Sequence, residues 1–121
     1  ELAGRDPAGV TLISFHADVL AALRPLLPRH EMLFLVDYRR GQKAADLLAA
    51  AEASRAAGWQ GLDISARWPV DRETIAAIQA LAQKVVVWTV DDPSLAQRWI
   101  ARGVTGITTN RPEALRRALG W

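Results

Sequence analysis

The side chains able to do chemistry are few and lie mostly just after short apolar runs. His16 follows TLISF (Thr11 to Phe15), Asp37 follows MLFLV (Met32 to Val36), Asp63 sits inside GLDI (Gly61 to Ile64), and Asp91 follows VVVWTV (Val85 to Val90). An imidazole at His16 could work as acid, base or metal ligand, or simply begin a helix, and the second role is the commoner one for a lone histidine. The other histidine, His30, precedes a strand and therefore belongs to the opposite end of the layer, as a structural or surface residue. Asp37 could accept a hydrogen bond from a hydroxylated ligand or pair with Arg39, the pairing being favoured. Asp63 could face a polar interior or a neighbouring loop. Carboxylate hydrolysis needs two such groups at a set separation, and a divalent ion needs several converging donors. Nothing in the spacing of Asp37, Asp63 and Asp91 is diagnostic of either. Ser14 and Ser65 lack the sharp strand-to-helix turn that exposes a nucleophilic serine, and without any cysteine there is no thiolate. No catalytic residue and no metal ligand can be assigned.

Trp88 is different. A large aromatic near the end of the strongest strand could wall a pocket or fill the core, the two readings being evenly balanced. Trp59, Trp99 and Trp121 read as packing, while Trp68 in the R-W-P loop is a candidate for a rim.

These residues must be positioned by alternating elements. TLISF is followed by a helix from Ala17 to Leu27 that Pro25 should cut short. MLFLV leads to an alanine-rich helix, Gln42 to Ala57, with Gly58 as its C-cap. GLDI leads through Trp68 and Pro69 to a helix from about Asp71 to Ala82. VVVWTV leads to a helix opened by Asp92 and Pro93 and closed by Arg102 and Gly103. A strand from Val104 to Thr108 and a helix from Pro112 to Leu119, capped by Asn110 or a neighbour, complete the series. Strands separated by helices pair in parallel with right-handed crossovers. The class is α/β, built of parallel β/α units, and the count allows either a small open layer or the tail of a barrel.

The 121 residues suffice for a single unit, 1–121, with 50% hydrophobic and 23% charged residues, enough to bury a core. A net charge of +2 with scattered arginines gives no basic stripe, so no nucleic-acid partner is expected. No apolar run approaches the roughly 20 residues of a membrane span, and no presequence is visible. The compartment stays open, with the cytoplasm slightly favoured. A start at Glu1 points to a processed product or a piece of something longer.

VVVWTVDDPSLAQRWIARGVTGITTNRP, from Val85 to Pro112, resembles the carboxyl-terminal signature of the glycerophosphodiester phosphodiesterases. In that family a strand ending in W-T-V or W-T-V-N precedes a helix and a G-V-D-G-I-x-T-D-R-P segment. LISFHADVLAALRPLLP, from Leu12 to Pro28, resembles the family's Ser-Phe strand and its leucine-rich helix, through Ser14 and Phe15. Thr105 and Asn110 stand where aspartates are usual, and Asn can still cap a helix.

The resemblance implies a TIM (β/α)8 barrel of which this chain would be the C-terminal portion, strands four to eight, incomplete on its own. It implies that the complete enzyme hydrolyses a glycerophosphodiester to glycerol 3-phosphate and an alcohol, with Mg²⁺ or Ca²⁺ stabilising charge. The family's His-Arg-Gly, Glu-x-Asp, His-Asp and Glu-x-Lys motifs are absent here, so the catalytic histidines and metal ligands would lie outside this chain. Its own share would be Phe15 and Trp88 as apolar pocket wall. A noncatalytic domain derived from the barrel, binding a small ligand or a protein, is the alternative. In either case exposed edge strands and an apolar interior favour self-association or pairing with the missing half.

Overall fold

The computed structural model describes residues 11–120. Ten elements alternate strictly: β1 (Thr11–Ser14), α1 (Ala17–Leu23), β2 (Glu31–Val36), α2 (Ala44–Ala56), β3 (Gly61–Ser65), α3 (Arg72–Gln79), β4 (Lys84–Trp88), α4 (Pro93–Ala101), β5 (Gly106–Ile107) and α5 (Pro112–Leu119). The five strands form one parallel sheet in the order β1-β2-β3-β4-β5. Each strand thus lies beside its predecessor, as in a segment of a barrel wall, and the helices return the chain between them. The fold is an arrangement of parallel β/α units forming part of a (β/α) barrel.

Local chemistry explains the boundaries. Pro25 cannot continue α1, which ends at Leu23, four residues short of the expected Leu27. The carboxylates of Asp71 and Asp92 accept from the amides of Thr74 and Leu95 and so start α3 and α4, with Pro93 in the first turn. Gly58 closes α2 at φ 80°, in the left-handed region that glycine adopts without a side-chain clash. The helix α5 departs from expectation: Arg111 is its N-cap and makes no side-chain capping bond, and Asn110 does not supply one. Its entry is organised by Asp91, which accepts from the Asn110 amide, and by Thr109, whose hydroxyl accepts from the Arg111 amide. The strand β5 has only two residues in regular pairing, but bonds from Thr105 N to Val85 O and from Thr108 N to Val87 O extend its contact with β4.

Strand periodicity sorts the side chains onto two faces. Leu62, Ile64, Val85 and Val87 point to the helix side and are fully buried with Leu47, Ala51, Ile75, Ile78, Ala96 and Trp99. A smaller cluster of Leu20, Leu27, Met32 and Trp59 lies beneath α1. Trp68, expected as a rim residue, is instead 2% exposed. Its indole donates to Val36 O and its ring packs edge-on against Tyr38, so it closes the outer core over the carboxyl ends of the strands.

The amino ends of the strands are tied by Arg24. Its guanidinium donates to the carbonyls of Gly58, Leu27 and His30 and to Gln60 Oε1, which also accepts from the Met32 amide. His30 is buried at this end, in keeping with a structural role. Gly61 is dictated by the sheet itself, since a Cβ there would stand 2.3 Å from the backbone oxygen of Lys84.

Candidate functional site

The inner face of the sheet, opposite the helices, carries the site. Register places Ile13 beside Leu33 and Leu35 beside Asp63, while Ser65 lies beside Trp88. Alternation therefore turns Ile13, Leu35, Asp63 and Trp88 to one side. A cavity of about 330 Å³ opens there, lined by Ile13, Phe15, Leu35, Asp63, Trp88, Thr89 and Thr108. All but Asp63, the middle residue of β3, lie in or beyond the carboxyl halves of their strands, the end where parallel β/α folds gather ligand-binding groups.

Phe15 and Trp88, singled out from the sequence, meet in this cavity. Their ring centroids are 5.7 Å apart with planes at 87°, an edge-to-face contact that forms an aromatic corner. Phe15 is 51% exposed, which is unusual for a phenylalanine with nothing to cover it. Trp88 is held from behind, its indole donating to the Asp63 carbonyl at 2.8 Å. The Trp88–Thr89 peptide bond is cis.

Asp63 is the polar element of the cavity. It is 2% exposed, and its Oδ1 has no hydrogen-bond partner. Burial pushes its carboxyl up to about 6, with the Thr108 hydroxyl offsetting part of that rise. No ion pair relieves it: among the described residues the salt bridge found is Lys84 with Glu31, at the amino end of the same face.

The remaining candidates are placed elsewhere. His16 is exposed at the start of α1, its amide bonded to Ser14 Oγ and its imidazole making no capping bond. Asp37 does not pair with Arg39; its Oδ1 accepts from the adjacent Tyr38 amide, and Arg39 N–H goes to Gln42. Asp91 is spent on the loop before α5, accepting from the Thr109 hydroxyl and the Asn110 amide, which together hold its carboxyl below the usual range. Ser65 accepts from the Arg67 amide. Among the described residues no three His, Cys, Asp or Glu side chains stand close enough to hold a metal ion. The pocket's Thr89, Thr108, Ile13 and Leu35 escaped the sequence reading. The alternation Leu62 out, Asp63 in, Ile64 out was the signal that could have found the inner face.

The model of the glycerophosphoryl diester phosphodiesterase family matches residues 3–114. The chain belongs to that family. A Silicibacter pomeroyi protein assigned to the glycerophosphoryl diester phosphodiesterases superposes with a TM-score of 0.75 at 26% identity, over 90% of this chain and 37% of that one. A Parabacteroides distasonis glycerophosphodiester phosphodiesterase gives 0.60 at 26%, over 89% and 42%. An Oleispira antarctica phosphodiesterase, solved with the product sn-glycerol-3-phosphate, gives 0.77 at 22%, over 92% and 42%, a likeness of fold. The chain thus spans about two fifths of the length of these family structures. No curated protein matches it. Among the described residues no helix is long and apolar enough to cross a membrane.

Proposed function

We propose that this chain, 1–121 as one unit, is the C-terminal portion of a glycerophosphodiester phosphodiesterase barrel, strands four to eight, and supplies the apolar wall of its substrate pocket. The reaction of the whole would be hydrolysis of a glycerophosphodiester to glycerol 3-phosphate and an alcohol. The observation that carries this reading is the exposed aromatic corner of Phe15 and Trp88 at the carboxyl end of the inner face. Family membership, the five-strand arc and the two-fifths share of the relatives' length support it.

Within such a pocket Phe15 and Trp88 pack against the carbon skeleton of the substrate and exclude water from one side of it. The Asp63 carbonyl fixes the indole plane. The described donors do not fit a divalent ion, since Asp63 stands alone among apolar and hydroxyl groups. Any Mg²⁺ or Ca²⁺ of the complete enzyme is therefore assigned to ligands outside this set, and no step is routed through it here. The outer edges of β1 and β5 and the open inner face suit pairing with the rest of the barrel, or with a second copy.

A noncatalytic ligand-binding domain is the second reading, favoured by one observation: the pocket forms from described residues that include neither a placed histidine nor a donor cluster. Hydrolysis assays of a glycerophosphodiester with added Mg²⁺ or Ca²⁺ separate the two. The chain alone should be inactive, and activity should appear only when residues supplying the rest of the barrel are present, with Trp88→Ala then raising KM about tenfold or more. Turnover by the chain alone, abolished by replacing His16, would overturn the allocation of roles. Binding without turnover in the complete protein would establish the second reading.

A further inference from the structure

Asp63 is more than a wall residue. A buried carboxyl normally has all its lone pairs occupied, because leaving one desolvated and unpaired is costly. Here Oδ1 is buried without a partner, beside a cavity lined by Ile13, Phe15, Leu35 and Trp88 on the apolar side and Thr89 and Thr108 on the polar side. No cation among the described residues answers the charge, and the pressure is visible in a carboxyl raised to about 6. The group is thus built into the sheet with one hydrogen bond unfilled and a cavity in front of it.

We propose that Asp63 is a specificity-determining residue that reads a hydroxyl group on the carbon skeleton of a polyol phosphate lying against the Phe15–Trp88 corner. This rests on the pocket reading above and deepens it. Three properties choose a hydroxyl. A phosphoryl oxygen is repelled by a carboxylate and offers no donor to it. A metal ion requires more oxygen donors than one isolated carboxyl gives. A hydroxyl satisfies Oδ1 in either state, donating to the carboxylate or accepting from the acid. The ligand is oriented accordingly: hydroxyl-bearing carbons toward Asp63, C–H faces on the aromatic rings, and phosphate directed away from β3. Because the Asp63 backbone carbonyl also fixes the Trp88 indole, one residue sets both wall and anchor.

The test titrates the protein together with the residues supplying the rest of the barrel, using sn-glycerol 3-phosphate, propyl phosphate, which lacks the hydroxyls, and phosphoethanolamine, which carries an ammonium group. Binding is followed at the Trp88 indole N–H resonance. Wild type should prefer glycerol 3-phosphate over propyl phosphate by about tenfold, the discrimination of one satisfied hydrogen bond. Asp63→Leu should reduce the preference to about twofold or less. Asp63→Asn, which keeps an accepting oxygen and the side-chain shape, should retain part of it, and serves should the leucine variant fail to fold. Equal binding of the two phosphates by wild type overturns the role of Asp63 and leaves the pocket intact. A preference for phosphoethanolamine that Asp63→Asn abolishes also overturns it, by making the site one for cations. Failure of both glycerol 3-phosphate and propyl phosphate to perturb Trp88 overturns the pocket reading and this inference with it.

Discussion

The two faces of the sheet are made from the same strands and differ in almost every physical respect. On the outer face Leu62, Ile64, Val85 and Val87 are fully buried under helices that the chain itself provides. On the inner face Ile13 is 44% and Phe15 51% exposed, and the one buried carboxyl lacks a partner for one oxygen. Within β3, Leu62 and Ile64 are apolar and packed among apolar neighbours, while Asp63 between them turns a carboxyl toward the cavity. The outer face holds the fold together. The inner face carries costs, aromatic surface in water and a carboxyl oxygen without a partner, of the kind that functional sites retain.

Three experiments would break or sharpen that contrast. The largest effect is expected from paired tryptophan deletions. Trp99→Ala empties the outer core and should destabilise the fold by about 3–5 kcal/mol, whereas Trp88→Ala removes an inner-face ring and one hydrogen bond and should cost about 1–2 kcal/mol. Urea unfolding of the two variants measures this, and equal losses would show that the inner face is as structural as the outer.

The second effect is a pH dependence from Asp63. Its carboxyl is near 6 in the folded chain against 3.8 when unperturbed. The native state therefore holds a proton that the unfolded state has released, so stability falls as pH rises from about 4 to about 6 and levels off above 7. The fall has a ceiling of about 3 kcal/mol, reduced by solvent at the pocket mouth. Hydrogen bonds hold Asp71 and Asp91 below the usual range, so their stabilisation is lost as pH drops below about 4. The Asp63 contribution is accordingly the difference between wild type and Asp63→Asn, whose profile should be flat between pH 4 and 7. An unchanged slope in that variant would remove Asp63 as the source of the strain.

The smallest effect contrasts two helix starts. Asp92→Ala, which deletes the bond to the Leu95 amide, should cost about 1 kcal/mol. His16→Ala, at an N-cap where the imidazole makes no bond, should change stability by less than about 0.5 kcal/mol. A larger loss at His16 would give that residue a role the structure does not show.

The outer architecture was legible in the sequence because its signals are local. Pro25, Gly58, Asp71 and Asp92 each act within a turn of chain, and the apolar runs mark where strands must lie. The aromatic pair was reachable through the W-T-V and Ser-Phe segments. What local signals could not convey was which groups meet. Trp68 looked like a rim residue because a tryptophan beside proline in a loop gives no hint of the Val36 carbonyl 32 residues away. Asp37 and Asp91 follow apolar runs and Asp63 lies inside one, and nothing in their spacing tells which of them meets a ligand. The structure separates them: Asp37 accepts from the Tyr38 amide, Asp91 from the Thr109 hydroxyl and the Asn110 amide, and Asp63 faces a cavity. Asn110 was a reasonable cap by residue type, yet Asp91 reached the site from another loop.

The match between sheet order and chain order has a consequence for how such a molecule can be assembled or divided. Each strand docks on the one made just before it, and no gap waits for a later segment. As the chain emerges from the ribosome, every new β/α unit finds its neighbour already in place, so growth is vectorial and loop closures stay short. The same order means that a break between units removes strands from a border and never from the middle. Fusion, duplication or splitting at those borders leaves a continuous sheet on either side.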